Sequence, residues 1–190
     1  MTTLSDVCER PQYGFTASAT TTPVGPQMLR ITDIQAGVVN WHNVPYCECA
    51  KADAYLLKPG DILVARTGAT TGKSYLVRDA PRAVFASYLI RLRVIPSADP
   101  EYVYQFLQSP QYWAQVADRV RGTGQPNCSA STLSGIGIPL PSGAEQRAIA
   151  AHAELLQERV MHIVALGAHA KAGADLLVPS GLRTLLRATI

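Results

Sequence analysis

The sequence has little charge, no long apolar run and no export signal. Charged residues make up 16% of its 190 residues and hydrophobic residues 47%, a balance typical of a folded chain and not of a disordered one. No apolar stretch reaches the length needed to span a bilayer. The N-terminal MTTLSDVCER lacks the basic start and apolar core of a secretory signal. We therefore expect a cytoplasmic protein without a membrane partner, whose four cysteines are reduced thiols.

Several short patterns on which enzymes depend are also missing. The sequence has no Pro-Pro dipeptide, so it lacks the Asp/Asn/Ser-Pro-Pro-aromatic turn with which amino-methyltransferases hold an extruded base. None of the four lysines has an acidic residue two positions before it, as common metal-dependent nucleases require, and no G-x-S-x-G elbow occurs. The common forms of these three enzyme classes are thereby excluded.

The cysteines carry no signature of catalysis or of metal binding. Cys8 and Cys128 have no local motif of a cysteine nucleophile and are interpreted as small buried thiols. His42, Cys47 and Cys49 lie close together, but Cys-x-Cys is not the usual C-x-x-C knuckle, and no second pair follows at a suitable distance. The sequence therefore predicts neither a metal site nor a cofactor.

The stretch GATTGKS, from Gly68 to Ser74, is similar to a phosphate-binding loop but fails two of its requirements. A P-loop has four residues between its glycines, whereas Gly68 and Gly72 enclose three. Its lysine should begin a helix whose N-terminus faces the anion, yet Lys73 is followed by SYLV, which is typical of a strand. We expect a tight connection between two strands, and a nucleotide-binding enzyme is the less favoured alternative.

A change of composition at PLPSGAEQR, residues 139–147, divides the chain. Before it, short apolar runs alternate with glycine and proline, whereas alanine and leucine dominate after it. We interpret the chain as α+β, with a mixed α/β domain at residues 1–141 followed by a long helical arm at residues 142–190.

Within the first domain, strands are predicted at residues 28–33, 38–41, 61–66, 73–77 and 83–95, with a last short strand at GIGIPL, residues 135–140. Toward the end of the 83–95 segment, Ile90 and Leu92 alternate with Arg91 and Arg93. This alternation predicts one buried face and one wet face.

Two helices are predicted between the last two strands. They should begin at Pro100 and Pro110, because Asp99 and Ser109 are favourable N-capping residues and proline is favoured at the first helical position. Apolar residues recur at helical spacing in both segments. Trp113 lies on the apolar side of the second helix and is interpreted as core.

The helical arm begins with a capping box formed by Ser142 and Glu145. Small and apolar residues then recur at alternating steps of four and three, a stripe as narrow as the seam of a coiled coil. The stripe, which we name the seam, consists of Ile149, Ala153, Leu156, Val160, Ile163, Gly167, Ala170, Ala174 and Leu177. A break is expected at Pro179, followed by a short amphipathic helix.

Six segments occur in an order that resembles one half of the specificity (S) subunit of type I restriction-modification systems. They are LSDVCER…YGFT, LRITDIQAGVVNW, LKPGDILVARTGATTGKSYLV, VFASYLIRLRV, YVYQFLQSP and RGTGQPNCSASTLSGIGIPLPSGAEQRAIAAH. The resemblance extends from Leu4 to about Leu186. It is most specific at GDILVARTG, at G-x-x-Q-x-N-x-S and at IPLP…EQ…I.

The resemblance implies a DNA-recognition subunit that is not itself an enzyme. Specificity subunits have two target recognition domains, each for one half of a bipartite DNA sequence, and two helices that form an antiparallel coiled coil. The coiled coil docks adenine-N6 methyltransferase (M) subunits and, in restriction complexes, an endonuclease (R) subunit. This sequence contains one such domain and one arm, so we expect a homodimer that recognises an interrupted palindrome in double-stranded DNA. An interaction-only decoy or regulator of the methyltransferase is the alternative.

With a net charge of only +3 and no basic run, any DNA-binding surface must be assembled by folding. The candidate DNA contacts are Tyr13, Trp41, Lys51, Arg66, Lys73, Arg119, Arg121, Gln125 and Asn127. Arg66 and Lys73 belong to a segment that recurs in family members with unrelated targets, so they are expected to contact phosphate. Arginine, glutamine and asparagine are the side chains that pair with guanine and adenine edges. The alternatives are a bare hairpin turn around Gly68 and a bracing role for Gln125 and Asn127.

Overall fold

Helices and strands mix in the first of two units into which the chain divides, Met1–Ala148 and Ile149–Ile190. The computed structural model describes residues 2–120 and 127–187, of which residues 120 and 169–187 are described by their backbone only. The second unit is helical throughout its described part. The mixture of helix and sheet confirms the coarse α+β prediction.

The bounds of the described elements are as follows. The strands are β1 (Gln12–Tyr13), β2 (Gln27–Leu29), β3 (Ile34–Gln35), β4 (Val38–Val39), β5 (Asp61–Ala65), β6 (Ser74–Leu76), β7 (Ala83–Phe85) and β8 (Leu89–Arg93). The α-helices are α1 (Leu4–Val7), α2 (Ala52–Tyr55), α3 (Pro100–Phe106), α4 (Pro110–Val120), α5 (Ala130–Ser134) and α6 (Gly143–Arg187). Short 3-10 turns lie at Ile31–Asp33, Trp41–Asn43 and Gly68–Thr70.

The main sheet has the strand order β1-β8-β5-β6, and every neighbouring pair is antiparallel. Strand β5 lies inside this sheet, and all of its residues are buried. Its run of Ile62, Leu63 and Val64 explains this position, because a strand that is covered on both faces needs apolar side chains on both. Outside the main sheet, β2 pairs in parallel with β7, and β3 and β4 form an antiparallel hairpin.

The segment predicted as one strand at residues 83–95 forms two strands in different sheets. Strand β7 pairs with β2, whereas β8 pairs with β5 and β1. Between them the Ala86 amide donates to the Leu29 carbonyl at 2.9 Å, and the Leu89 amide donates to the Ala86 carbonyl at 2.9 Å. The single-strand prediction was wrong because both strands are apolar, so periodicity does not reveal the turn between them.

Strands β2 and β4 end earlier than predicted because side chains cap the turns that follow them. After β2, Asp33 Oδ2 accepts a hydrogen bond from the Arg30 amide at 2.9 Å. After β4, Asn40 Oδ1 accepts from the His42 amide at 3.2 Å. Such local side-chain acceptors compete with the strand ladder for the backbone donors.

The strand predicted at residues 135–140 was wrong as well. Gly137 makes an isolated bridge to Thr3 and belongs to no strand of the described residues. The residues that follow include Pro139 and Pro141, which lack the backbone N–H needed to extend a ladder.

A buried ion-pair network holds the start of β5 against the end of β8. Asp61 is 1% exposed and accepts two hydrogen bonds from the Arg93 guanidinium, at 2.8 and 2.9 Å, and one from the Lys58 amide at 2.9 Å. Arg91 Nη1 lies 3.6 Å from the same carboxylate. The prediction of a wet face through Arg91 and Arg93 was therefore wrong, since Arg91 is only 6% exposed. The carboxylate makes this burial tolerable because it compensates the cationic charge.

Arg91 also connects β8 to its neighbours. Its guanidinium donates to the Leu56 carbonyl at 2.9 Å and to Gln12 Oε1 on β1, and it lies over the ring of Phe85, with the guanidinium carbon 5.1 Å from the ring centroid. Burial lowers the pKa of Arg91, whereas the hydrogen bonds with Asp61 raise the pKa of Arg93. The buried guanidinium is thus a junction between β1, β7 and β8.

The N-caps predicted before α3 and α4 are confirmed. Asp99 Oδ1 accepts from the amides of Glu101 and Tyr102 at 2.9 and 3.1 Å. Ser109 Oγ accepts from the Tyr112 amide at 3.2 Å. Each cap supplies an acceptor for amides that have no partner within the first turn of a helix.

The capping box at the start of α6 is confirmed, but the break at Pro179 is not. The Ser142 amide donates to Glu145 Oε2 at 2.9 Å, and the Glu145 amide donates to Ser142 Oγ at 3.4 Å. The helix then runs from Gly143 through Pro179 to Arg187. The predicted break was wrong because a proline removes one donor from the ladder, and the hydrogen bonds on either side can maintain the helix.

We predict that Asp61→Asn lowers the free energy of unfolding by about 3–5 kcal/mol, because it leaves two buried or half-buried guanidinium groups without their anion. Urea denaturation of the purified protein measures this change. Asp79→Asn is the matched control, because Asp79 is exposed and surface substitutions usually change stability by less than about 0.5 kcal/mol. Equal midpoints for the two variants would contradict the prediction.

Candidate nucleic-acid interface

Tyr13 and Arg66 form an aromatic–cation pair at one end of the main sheet. Tyr13 is the last residue of β1 and is 40% exposed, and its Cα partner on β8 is Ile90. Arg66 follows β5, and its amide donates to the Tyr88 carbonyl at 2.9 Å. The guanidinium carbon of Arg66 lies 5.0 Å from the centroid of the Tyr13 ring, which is within the range of a cation–π interaction.

A third segment, beginning at Asn127, joins this pair. Asn127 makes an antiparallel bridge to Thr67, and the Cys128 amide donates to the Arg66 carbonyl at 2.8 Å. The Ala130 amide donates to the Tyr13 hydroxyl at 3.0 Å. Tyr13 and Arg66 therefore both contact the segment that begins at Asn127, although the three lie far apart in sequence. We name Tyr13, Arg66 and Asn127 the Tyr13–Arg66 cluster.

Arg66 Nε is a buried donor without a hydrogen-bond partner. None of the ion pairs among the described residues involves Arg66. A buried donor that lacks a hydrogen-bond partner is costly to the folded chain.

The connection between β5 and β6 is a tight turn, as predicted. Gly68 and Gly72 have φ angles of 80° and 83°, a region that glycine adopts without steric cost. The Gly72 amide donates to the Ala65 carbonyl and the Lys73 amide to the Thr70 carbonyl, both at 2.8 Å. A strand and not a helix follows Lys73, so this segment does not have the geometry of a nucleotide-binding P-loop.

Helix α4 packs against this turn. Tyr112 is fully buried, and its hydroxyl donates to the Gly72 carbonyl at 2.8 Å; burial raises the pKa of this phenol. A Cβ at Gly72 would stand 3.1 Å from the ring of Trp113 and 3.3 Å from Val116. The interpretation of Trp113 as a packing residue is therefore confirmed.

The other described candidates make none of the contacts that define the Tyr13–Arg66 cluster. Lys51 and Lys73 are exposed. Trp41 is half-buried against the apolar cluster that contains Leu29 and Phe85. Arg119 donates to the carbonyls of Gln115 and Gly135, at 3.2 and 2.7 Å, so its guanidinium braces the end of α4. The candidates Arg121 and Gln125 lie outside the described residues.

Three of the four cysteines are buried, and none forms a disulfide. Burial raises the pKa of Cys8 to about 12 and that of Cys128 to about 11, so both are protonated and unreactive at neutral pH. This confirms their interpretation as buried thiols.

Across residues 2–120 and 127–187 no group of three or more His, Cys, Asp and Glu side chains is placed to hold a metal ion. In the same part of the chain, no helix is both long and apolar enough for a membrane crossing.

The seam residues of α6 that have described side chains are largely exposed. Ile149, Leu156, Val160 and Ile163 are between 46% and 66% exposed. Ala153 is half-buried, and no heavy atom lies within 4 Å of the position that a Cβ at Gly167 would occupy. The side chains of Ala170, Ala174 and Leu177 lie outside the described residues.

The model of the family described as "Type I restriction modification DNA specificity domain" matches residues 1–156. The chain belongs to this family. The specificity subunit of the EcoKI type I restriction enzyme from Escherichia coli K12 is 27% identical to it over 151 residues, which cover 75% of this chain and 32% of that protein. The chain thus spans about a third of this curated relative.

Two solved structures show that the type I specificity fold is shared. A chain from a study of complex assembly and conformational transition in a type I R-M system has a TM-score of 0.74, with 20% identity, over 92% of this chain and 42% of its own length. The HsdS subunit of Thermoanaerobacter tengcongensis has a TM-score of 0.64, with 20% identity, over 84% of this chain and 37% of its own length.

Two residues that position the Tyr13–Arg66 cluster of this specificity domain were missed by the sequence analysis. A Cβ at Gly14 would lie 2.2 Å from the Ala86 carbonyl oxygen and 2.4 Å from that of Phe85, so only glycine allows β1 to approach β7. The glycine beside tyrosine in YGFT was the available signal. Nothing in the sequence marks Ala130, because only its backbone amide contacts Tyr13.

We predict that Gly14→Ala destabilises the domain by about 1–3 kcal/mol, because the added methyl group collides with backbone carbonyls that cannot rotate away. It should also displace Tyr13. The fluorescence of this tyrosine and the rate of hydrogen exchange at the Ala130 amide would then both change. Thermal unfolding followed by circular dichroism measures the first effect. A melting temperature equal to that of the unaltered protein would contradict the prediction.

Proposed function

We propose that the chain is the sequence-specific DNA-recognition subunit of a type I-like restriction-modification or methyltransferase complex, and that it is non-catalytic. The observation that carries this proposal is the convergence of Tyr13, Arg66 and Asn127 on one end of the sheet, in a chain of the DNA specificity family. An aromatic ring, a guanidinium and a carboxamide are side chains that contact nucleic acid by stacking, charge and base-edge hydrogen bonds.

Arg66 is the proposed anchor of this surface. Its guanidinium is held by the ring of Tyr13 and not by a carboxylate, so its charge is available to an anion. Nε is buried without an acceptor in the unbound chain. A phosphate oxygen or the O6 and N7 atoms of guanine would bind the rest of the guanidinium, whose Nη1 and Nη2 groups carry the other N–H donors.

The remaining candidates have supporting roles in the proposal. Lys73 and Lys51 are exposed and would contact phosphates, which position a protein on DNA without reading its sequence. The aromatic surface of Trp41 and the Arg119, Arg121 and Gln125 side chains complete the proposed set. The bonds of Arg119 to backbone carbonyls favour a bracing role for this residue.

We predict that Lys73→Ala weakens binding to all duplexes about equally and reduces the slope of log K against log salt by about one unit, because one phosphate contact is lost. Fluorescence anisotropy at several salt concentrations measures both effects. Lys58→Ala is the matched control. Lys58 is also exposed, but it lies before the start of β5, whereas Lys73 lies beside the end of β5. The preferred sequence should not change. A new preferred sequence would instead assign base contacts to Lys73.

We further propose that the chain directs an adenine-N6 methyltransferase (M) subunit to a bipartite site, with an endonuclease (R) subunit added in a restriction complex. Family membership supports this assembly. Selection of bound duplexes from a random library, with the chain alone and with the methyltransferase, tests it directly. Enrichment of one motif supports DNA recognition. If no motif is enriched under either condition, the chain is an interaction-only decoy of the methyltransferase.

The proposed assembly is an antiparallel homodimer through a coiled coil of α6. The helix contains 45 residues and is therefore about 68 Å long at 1.5 Å per residue. Its exposed seam is a surface that a second helix of the same kind would cover. A two-fold axis would place one recognition domain at each end of the coiled coil. The DNA site would then consist of two identical, inverted half-sites with a fixed gap.

We predict that the double substitution of Leu156 and Ile163 by Asp abolishes dimerisation, because two charges per chain would be buried in the seam. Multi-angle light scattering at micromolar concentration measures the mass of the assembly. Met161→Asp is the control, since this exposed residue lies off the seam, and it should leave the dimer intact. A wild-type mass equal to the 20.4 kDa of one chain would rule out the homodimer and favour pairing with another half-subunit.

A further inference from the structure

A cavity of about 360 Å³ lies between the segment at residues 16–19 and the β2–β7 strand pair. Backbone bridges hold this segment at both ends, from Phe15 to Ala86 and from Thr20 to Tyr46. The segment itself reads Thr-Ala-Ser-Ala, and such small side chains do not fill the space between the bridges. The volume falls within the range of about 300–1,000 Å³ that is typical of pockets for small ligands.

Tyr88 lines this cavity and is 62% exposed. Its backbone is held on both sides, because its carbonyl accepts from the Arg66 amide at 2.9 Å and the next amide, of Leu89, donates to the Ala86 carbonyl at 2.9 Å. None of the aromatic or cation–π contacts among the described residues involves Tyr88. An aromatic ring on a fixed backbone, without a neighbouring ring, is a surface on which a flat ligand can stack.

A guanidinium of fixed orientation belongs to the same lining. Arg30 Nε and Nη2 donate to the two carboxylate oxygens of Asp33, at 3.0 and 2.7 Å, and the side chain is 41% exposed. The described lining contains Arg30 but no carboxylate, so its charge favours a ligand attached to an anion. The plane of a guanidinium, like the face of an aromatic ring, is a surface on which an unstacked base lies.

The rest of the lining is apolar at depth and carries hydroxyl groups. Met28 and Ala86 are 2% and 9% exposed. The hydroxyl groups come from Thr16, Thr32 and Ser87. A hydroxyl group both donates and accepts hydrogen bonds, so it can satisfy the polar edge of any base. Stacking is equally tolerant, because every base has a π-face. The cavity therefore suits a nucleobase without distinguishing one base from another.

The cavity adjoins the Tyr13–Arg66 cluster through the backbone. The Arg66 amide binds the Tyr88 carbonyl, and the Gly14 amide, next to Tyr13, donates to the Leu89 carbonyl at 3.0 Å. Most of the lining lies in YGFT, LRIT and VFASYL, which are parts of the segments that resemble the family. Segments shared by proteins with different targets suit a task that does not depend on the target sequence.

We propose that this cavity binds an unpaired nucleobase of the DNA, which stacks on Tyr88 and the Arg30 guanidinium while Arg66 holds a nearby phosphate. This inference rests on the DNA recognition proposed above. The methyltransferase proposed as partner supplies such a base, because enzymes that modify a base take it out of the stack and leave its partner unpaired. The site would lower the cost of this disruption for any target sequence.

Two duplexes of otherwise identical sequence test the proposal, one fully paired and one with a single extra, unpaired 2-aminopurine nucleotide. Fluorescence anisotropy with the full chain, without methyltransferase, should show roughly 10-fold tighter binding of the second duplex, the size of one base–aromatic stack. The 2-aminopurine emission should fall on binding, because stacking quenches it. Tyr88→Ala should remove both effects and leave the affinity for the paired duplex unchanged.

Two control variants separate stacking from general damage. Tyr88→Phe keeps the ring and should retain the preference for the unpaired nucleotide. Tyr104→Ala removes a half-buried tyrosine outside the lining and should retain it as well. Loss of the preference in Tyr88→Phe would contradict a stacking role, because the ring is still present.

A further variant tests the cavity itself. Ala19 is an exposed residue of the lining, and Ala19→Leu adds apolar bulk there without a ring on which a base could stack, so it should reduce the preference. If Tyr88→Ala abolishes the preference and Ala19→Leu retains it, the base lies on the outer face of Tyr88 and the cavity assignment is overturned. Equal binding of both duplexes by the wild type overturns the base site while DNA recognition stands. If the wild type binds neither duplex, DNA recognition itself fails and the base site with it.

Discussion

The buried carboxylate of Asp61 is the constraint on which the recognition domain depends. It binds the guanidinium of Arg93 through two hydrogen bonds and lies near that of Arg91, so the register between β5 and β8 is set by charge as well as by the ladder. A slip of one residue would leave a buried cation without its anion, which costs several kcal/mol. Strand β8 in turn pairs with β1, where Gln12 accepts a hydrogen bond from Arg91. The position of Tyr13 relative to Arg66 therefore follows from an ion pair at the opposite end of β5.

A second constraint holds the far end of β5. The turn from Gly68 to Gly72 rests on α4, where the Tyr112 hydroxyl binds the Gly72 carbonyl and Trp113 leaves no room for a side chain on that glycine. The helix thus contacts this short polar connection both through a hydrogen bond and through close packing. Arg66 lies on the sheet side of this turn and Lys73 on the other, so both cations are held by a frame that the described core supplies.

The arginine side chains of the domain fall into two groups that differ in what neutralises or contacts them. Inside, the arginines of β8 are neutralised by Asp61 and serve the fold. At the end of the sheet, Arg66 is paired with an aromatic ring and keeps its charge. A protein with a mild net charge and no basic run thus still carries, at the end of its sheet, a guanidinium that stacks on an aromatic ring.

The amino-acid sequence by itself determined the features that depend on a few neighbouring residues. The caps at Asp99, Ser109 and Ser142 and the glycine turn before Lys73 are local, because their hydrogen bonds join residues no more than seven positions apart. The order of its motifs also indicated the family. Only the tertiary structure decided that Arg91 is buried, that residues 83–95 form two strands in different sheets, and that Tyr13, Arg66 and Asn127 meet. Those outcomes depend on partners many residues away, whose approach is set by the packing of the whole domain and leaves no periodic signal in the chain.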